Sequence, residues 1–136
     1  MDLSEARRRF GEARVARLAT VTPEGGPHLV PIVFALAGDM VFAVVDEKPK
    51  RTRELKRLAN IEAEPRVSVL VDHYDEDWSE LWWVRADGRA RVAAAGRDFD
   101  RALGLMSAKY PQERARPPAG PAVVIEVAAW RFWAAR

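Results

Sequence analysis

Leu81–Ala93, LWWVRADGRARVA, alternates along its whole length. Trp82, Val84, Ala86, Gly88, Ala90 and Val92 fall on one side of an extended chain. Trp83, Arg85, Asp87, Arg89 and Arg91 fall on the other. A period of two sustained this long fits a strand with an apolar face and a polar face. Strands of that kind belong to antiparallel sheets, because parallel strands are covered on both sides. The alternation therefore sets the class as mainly β, with the apolar face turned to a core. Trp83 departs from the pattern by standing among polar residues. A large aromatic there calls for cover by a partner chain or by a flat ligand.

The remaining segments supply partners for this strand. Ala13–Thr22 (ARVARLATVT) alternates in the same way. Pro23-Glu24-Gly25-Gly26 is a turn signal leading into His28–Leu36 (HLVPIVFAL), the second arm of a hairpin. The near-continuous apolar run of that arm implies burial on both faces or at a subunit interface. Pro31 lacks an N–H, which implies a sheet edge or a bulge that leaves neighbouring backbone groups free for a ligand. Gly38-Asp39 turns the chain into a third strand, Met40–Val45. Arg66–Asp72 and Ala122–Trp133 complete a count of six.

Three helices are expected between them. Asp2 and Glu5 form a capping-box pattern ahead of Leu3, Ala6 and Phe10, so Asp2–Gly11 reads as an amphipathic helix. Thr52 is placed to cap a second helix with Leu55, Leu58 and Ile61 on its apolar side, ended by Glu64-Pro65. Asp98 is placed to cap a third, in which Phe99, Leu103, Met106 and Tyr110 share a face and Pro111 stops the chain. Arg114–Pro121 reads as an extended Pro-rich loop.

Composition narrows the function classes. The chain has 136 residues, enough for one domain with a real core. It has no cysteine, so disulfides and thiolate metal sites are excluded. Its start has no apolar leader core, and no apolar run approaches the roughly 20 residues that span a bilayer. The expectation is a cytoplasmic protein with no membrane partner. Arg7, Arg8 and Arg9 come without stacking aromatics or a binding motif, so nucleic acid is not an expected partner. The acidic stretch His73–Glu80 (HYDEDWSE) matches no calcium-loop spacing, and no metal is expected there. His28 has no second ligand or base nearby in sequence and reads as a surface residue at a strand start. No nucleophile–base pair stands out, so catalytic residues remain unassigned.

One segment is electrostatically distinct. Between Lys48 and Arg57, six cations (Lys48, Lys50, Arg51, Arg53, Lys56, Arg57) face only Glu54, although the whole chain carries a net charge of only +2. A positive island on a mildly negative body, placed where a strand gives way to a helix, suits an anion. Free backbone N–H groups and the helix dipole favour a phosphate at such a point. A solvated helix face is the competing explanation.

Four stretches, HLVPIVF, VFAVVDEKPKRTRELKRLANIEAEPRVSVLVD, LWWVRADGRARV and AKYPQ, resemble in order and spacing the split β-barrel flavin and deazaflavin oxidoreductases related to pyridoxamine 5′-phosphate oxidase. The resemblance covers nearly the whole chain and is closest to the branch that uses coenzyme F420. It implies a six-stranded antiparallel split β-barrel of the FMN-binding type, with helices flanking it. It also implies a homodimer with the cofactor at the subunit interface and a small-molecule substrate. By that resemblance the backbone of Val30, Pro31, Ile32 and Val33 lies along the cofactor ring, and Val45 and Asp46 flank it. Lys50 and Arg51 match the two basic positions of a phosphate-holding turn, Thr52 stands in for its serine, and Trp83 matches a position that reaches the ring from the partner. Lys48 and Lys56, with Arg57, are surplus to the single phosphate of FMN. They suit the longer anionic tail of coenzyme F420. FMN is the alternative cofactor, and a non-catalytic cofactor- or haem-binding protein of the same fold is the alternative function. For haem, only His28 and His73 are available as axial ligands.

Overall fold

A computed structural model describes residues 1–45 and 51–136, the side chains of 51–55 excepted. Helix α1 spans Leu3–Glu12, and the Asp2 carboxylate caps it by accepting a hydrogen bond from the Glu5 N–H at 2.8 Å. The strands are β1 (Ala16–Val21), β2 (Pro27–Ile32), β3 (Ala35–Ala37), β4 (Met40–Val44), β5 (Arg66–His73), β6 (Trp82–Ala93) and β7 (Ala122–Ala134). Helix α2 (Arg51–Ala63) lies between β4 and β5, and α3 (Arg97–Lys109) and α4 (Pro111–Ala115) lie between β6 and β7.

Several boundaries differ from the sequence expectations, each for a local reason. Among the described residues there are seven strands, not six, because His28–Leu36 breaks into β2 and β3 at Val33 and Phe34. The N-cap of α3 is Gly96, with φ of +93°, so Asp98 sits inside the first turn, where its charge favours the helix dipole. Pro111 does not only stop α3. It also opens α4 at a first-turn position where its missing N–H costs nothing, which shortens the expected loop. Arg51 is already helical in α2, so Thr52 falls within the first turn and not at the cap.

The strands form one antiparallel sheet in the order β2-β1-β5-β6-β7-β4-β3. Its two edges, β2 and β3, are consecutive in sequence and separated by two residues. Three Cα steps reach at most about 11 Å. A flat sheet of this width would hold its edges about 29 Å apart. The sheet must therefore curl until its edges converge at Val33-Phe34, although no pairing joins β2 to β3 among the described residues. Pro31 lies on an edge strand, as its missing N–H requires.

Curling gives the sheet an inside and an outside. The inside holds the larger core, with Leu18, Ile32, Val69, Val84, Ala86 and Ile125 packed around Phe10 of α1 and Ile61 of α2. Phe10 meets Phe34 and Trp130 edge-on, each at 5.1 Å between ring centroids. Among the described residues, helices cover the outside on one half only. There α3 lays Ala102 and Met106 over Ala35, Phe42, Val44, Ala122 and Val124. Gly88 marks a register shift where β6 crosses β7, and a Cβ at that position would stand 2.1 Å from the Glu126 carbonyl oxygen.

Candidate functional site

Among the described residues, no helix covers the outer face of β2-β1-β5-β6, and its side chains follow from the strand alternation. On β2, Leu29 is 66% exposed and Pro31 is exposed, with Val33 beyond the strand end 42% exposed, while Ile32 turns into the core. The apolar run of this strand is therefore buried on one face, and its other face is open. Pro31, Arg17, Leu70, Arg85 and Arg131 stand side by side across five strands. One step along, Trp83 is flanked by Asp72 and by Trp133, which is 47% exposed. Trp83 thus lies on the polar-side face that its sequence position assigned to it.

Two pairs of charges on this face are formed within the chain. Arg85 grips Asp87 through Nε at 2.8 Å and a terminal nitrogen at 3.0 Å, and the Ser68 hydroxyl donates to Asp87 at 2.7 Å. Partial burial pushes the Asp87 carboxyl up. Arg85 and Ser68 outweigh that and hold it below the ordinary carboxylate range. Arg17 reaches Asp72 at 3.4 Å.

The second element of the site is the corner where β2 becomes β3. A chain leaving a sheet edge exposes backbone groups that need partners. Phe34 is fully buried, and the end of α3 supplies what the missing ladder does not. The Phe34 N–H donates to the Tyr110 hydroxyl at 3.2 Å, and the Lys109 ammonium donates to the Phe34 carbonyl at 2.9 Å. The Tyr110 hydroxyl in turn donates to the Arg14 carbonyl at 2.8 Å, and the Arg14 guanidinium donates to the Lys109 carbonyl at 3.0 Å. Burial, with Arg14 nearby, lowers the Lys109 ammonium to about 8. Burial also raises the Tyr110 phenol above its usual value.

The sequence-derived residues distribute as follows. Val30 is half-buried against the inner core, Ile32 and Val45 are buried, and Pro31 and Val33 are exposed. The Val45 N–H donates to the Pro121 carbonyl at 2.9 Å. Lys56 is exposed on α2. Asp46, Lys48 and Lys50 lie outside the described residues, as do the side chains of Arg51 and Thr52. Strand β2, which carries Val30–Ile32, is one edge of the sheet, and β4, which leads into Val45, lies next to the other edge, so the two converge only through the curl. His28 is not a plain surface residue. It is half-buried with Nδ1 3.5 Å from Thr20 Oγ1, which accepts from the buried Asn60 amide at 3.1 Å. His73 stacks on Trp82 at 5.7 Å between ring centroids, with Arg9 5.2 Å from the Trp82 ring centroid. Among the described residues, no cluster of three or more metal-ligating side chains occurs. Asp75 and Asp77 of the acidic loop instead accept hydrogen bonds from the loop itself. No described helix is long and apolar enough to cross a membrane.

Sequence reasoning gave no role to Arg14 or Lys109 and read Tyr110 only as part of an apolar helix face. The AKYPQ stretch held Lys109 and Tyr110 in view, but their partners lie 75 to 96 residues away in sequence. No local spacing could report them.

A curled antiparallel sheet with a half-open outer face and a helix-clamped corner is the arrangement of the split-barrel class of folds. The family model for pyridoxamine 5′-phosphate oxidase matches residues 3–134, and the chain belongs to that family. Similar solved structures include a conserved hypothetical protein from Mycobacterium tuberculosis, at 22% identity and TM-score 0.80, covering 100% of this chain and 86% of that one. A FAD-binding protein from Mesorhizobium loti is 22% identical with TM-score 0.69, over 97% of this chain and 94% of that one. The haem storage protein of Vibrio cholerae is 15% identical with TM-score 0.67, over 97% and 91%. A search of curated proteins finds no match.

Proposed function

We propose that the protein is an oxidoreductase that binds deazaflavin coenzyme F420, or alternatively FMN, and transfers hydride to or from a small organic substrate. The observation that carries this reading is the open β2 edge. An edge strand turns alternate N–H and C=O groups away from the sheet, where a planar ring with polar edges can meet them. Leu29, Pro31 and Val33 add an exposed apolar surface beside those groups. The residues present therefore fit a flat heteroaromatic cofactor.

When bound, such a cofactor supplies a two-electron hydride chemistry that the side chains do not. The chain's own contribution is placement. Residues Val30–Val33 hold the ring, Val45 and Asp46 bound it, and Lys48, Lys50, Arg51 and Thr52 take its phosphate. Lys56, exposed on α2, extends the cationic track along an anionic tail. A second subunit packs on the bare outer face and closes a split barrel over the site, excluding water from the ring. Trp83, with Trp133, lies on the surface that this partner covers. The pairs Arg85–Asp87 and Arg17–Asp72 neutralise four of the charges that such a contact would cover.

A parallel titration with FMN and with coenzyme F420, read by fluorescence quenching, tests the assignment. Tighter binding of the deazaflavin and turnover of an enone or quinone acceptor support the F420-dependent enzyme. Replacing Lys50 and Arg51 with Ala removes two charged contacts worth about 1.5–3 kcal/mol each. Unchanged affinity refutes the phosphate site. The haem-storing neighbour favours one second reading, a haem carrier. His73 is the more exposed of the two histidines, so an axial bond falls to it. A Soret band that His73→Ala abolishes would mark that function.

A further inference from the structure

The connection between β5 and β6, the helix α1 and the end of β7 enclose a cleft of about 510 Å³. Strand register builds its walls. Trp82 stands opposite Ala134, and the Ala135 N–H donates to the Leu81 carbonyl at 2.9 Å, so the chain brings Arg136 to Glu80, with which it pairs. His73 stands opposite Trp82, and the two rings stack at 5.7 Å between centroids with 12° between their planes. Arg9 of α1 lies 5.2 Å from the Trp82 centroid. Strand β6 is three places from β2 in the sheet order, about 14 Å along the sheet. The cleft is therefore separate from the edge to which the cofactor is assigned.

Its chemistry differs from that of an ion site. Arg9 binds Glu5 through Nε at 3.0 Å and a terminal nitrogen at 2.9 Å, and Arg136 binds Glu80. Each arginine is thus neutralised by its own carboxylate, and neither sign of charge is left in surplus for a ligand. The size suits one small molecule, and the stacked rings suit a planar one. His73 is exposed, so its outer face continues the stack. The Glu80 carboxylate beside the Arg136 guanidinium sets a hydrogen-bond acceptor next to a donor. A carboxylate accepts at about four positions and a guanidinium carries five N–H groups, so their mutual bond leaves both with capacity. A ring lactam or a carboxamide shows an N–H next to a C=O and complements that edge.

We propose that this cleft is a second ligand site, which binds an uncharged planar heteroaromatic ring with a lactam or carboxamide edge. The ring stacks on His73 and Trp82, and the Glu80–Arg136 pair reads its polar edge. The site is built from α1, the β5–β6 connection and the end of β7, so it does not depend on which cofactor the β2 edge takes.

The test uses the whole chain without cofactor. Hypoxanthine, an uncharged ring with a lactam edge, is titrated near neutral pH while the Trp82 indole N–H and the His73 ring signals are followed by NMR. Purine, the same ring system without the lactam, is the counterpart. Saturable shifts of both residues with hypoxanthine are expected, with purine bound about tenfold or more weakly, the equivalent of one charged hydrogen bond. Glu80→Ala should remove that preference, and His73→Ala should weaken hypoxanthine about tenfold through lost stacking. Both positions are at the surface of the cleft, and the indole N–H spectrum of each variant shows whether it is folded. Signals of Trp82 and His73 that stay fixed up to the solubility limit of hypoxanthine overturn the site. Equal affinity for purine, or a preference that survives Glu80→Ala, overturns the reading of the polar edge. Because no cofactor is present, such a failure leaves the FMN and F420 titration to stand or fall separately.

Discussion

Tyr110→Phe isolates the corner clamp with the loss of one oxygen. Two hydrogen bonds disappear, from the Phe34 N–H at 3.2 Å and to the Arg14 carbonyl at 2.8 Å. Each is worth about 0.5–1.5 kcal/mol net. The Phe34 carbonyl keeps Lys109 and adds nothing to the loss. The Phe34 N–H, in a residue with no solvent exposure, is left without a partner, at a further cost of about 1–3 kcal/mol. Counting the Phe34 N–H once, as an unsatisfied donor, and adding the bond to the Arg14 carbonyl, the expected destabilisation is about 1.5–4.5 kcal/mol, or a melting midpoint lower by about 10 °C for a chain of this size. Urea unfolding should show a lower midpoint with an unchanged slope. The double variant with Lys109→Met should depart from additivity by more than about 0.5 kcal/mol, since both side chains bind the backbone of the same residue, Phe34. A loss below about 0.5 kcal/mol for Tyr110→Phe would show that the corner finds other partners, and the clamp would have no energetic meaning.

Three further outcomes are expected. Gly88→Ala places a methyl group against the Glu126 carbonyl at a distance no relaxation of a side chain can relieve, and should cost about 2–4 kcal/mol in urea unfolding. Near-native stability would mean that β6 and β7 do not approach so closely. Leu29→Asp, on the open outer face, should leave the monomer fold intact but halve the mass measured by light scattering; a native chain that is already monomeric would remove the proposed subunit contact. Lys109 gives a pH signature: its ammonium titrates near 8 in the folded chain and at 10.5 unfolded, so between those values the unfolded state binds the extra proton. Stability should then rise with pH across that window, by about 1–2 kcal/mol once the half-exposure of the group is allowed for, and Lys109→Met should abolish the rise.

The parts of the fold that repeat locally were legible in the sequence. Leu81–Ala93 announced β6 because its faces alternate one residue at a time, and Val84 and Ala86 are buried as that alternation requires. Asp2 capped α1 because an N-cap is decided within four residues. The break in HLVPIVFAL was not legible. The segment has no polar residue between His28 and Leu36 to punctuate it, and the partners that stabilise the bend at Phe34 come from the far end of α3. The same distance hid Arg14 and Lys109. The basic turn, by contrast, was conspicuous in composition alone, yet Lys48 and Lys50 fall outside the described residues, so its weight still rests on charge and position in the chain.

The outer face shows why a correct reading of hydrophobicity still left the architecture open. Alternation sorts residues into two faces of a strand but cannot say which stretch of a face a helix will cover. Here α3 covers the outside of β3, β4 and the start of β7, burying Phe42, Val44 and Val124. The outside of β2, with Leu29 and Pro31, has the same apolar character and no such cover. The difference is set by the Lys109–Tyr110 clamp, which pins the end of α3 at the corner where the two halves meet. One contact set thus fixes both the bend that exposes the β2 edge and the boundary of the helix that leaves its neighbours bare. A cofactor site and a subunit contact placed on that face would share a single structural origin, and weakening the clamp should disturb both together.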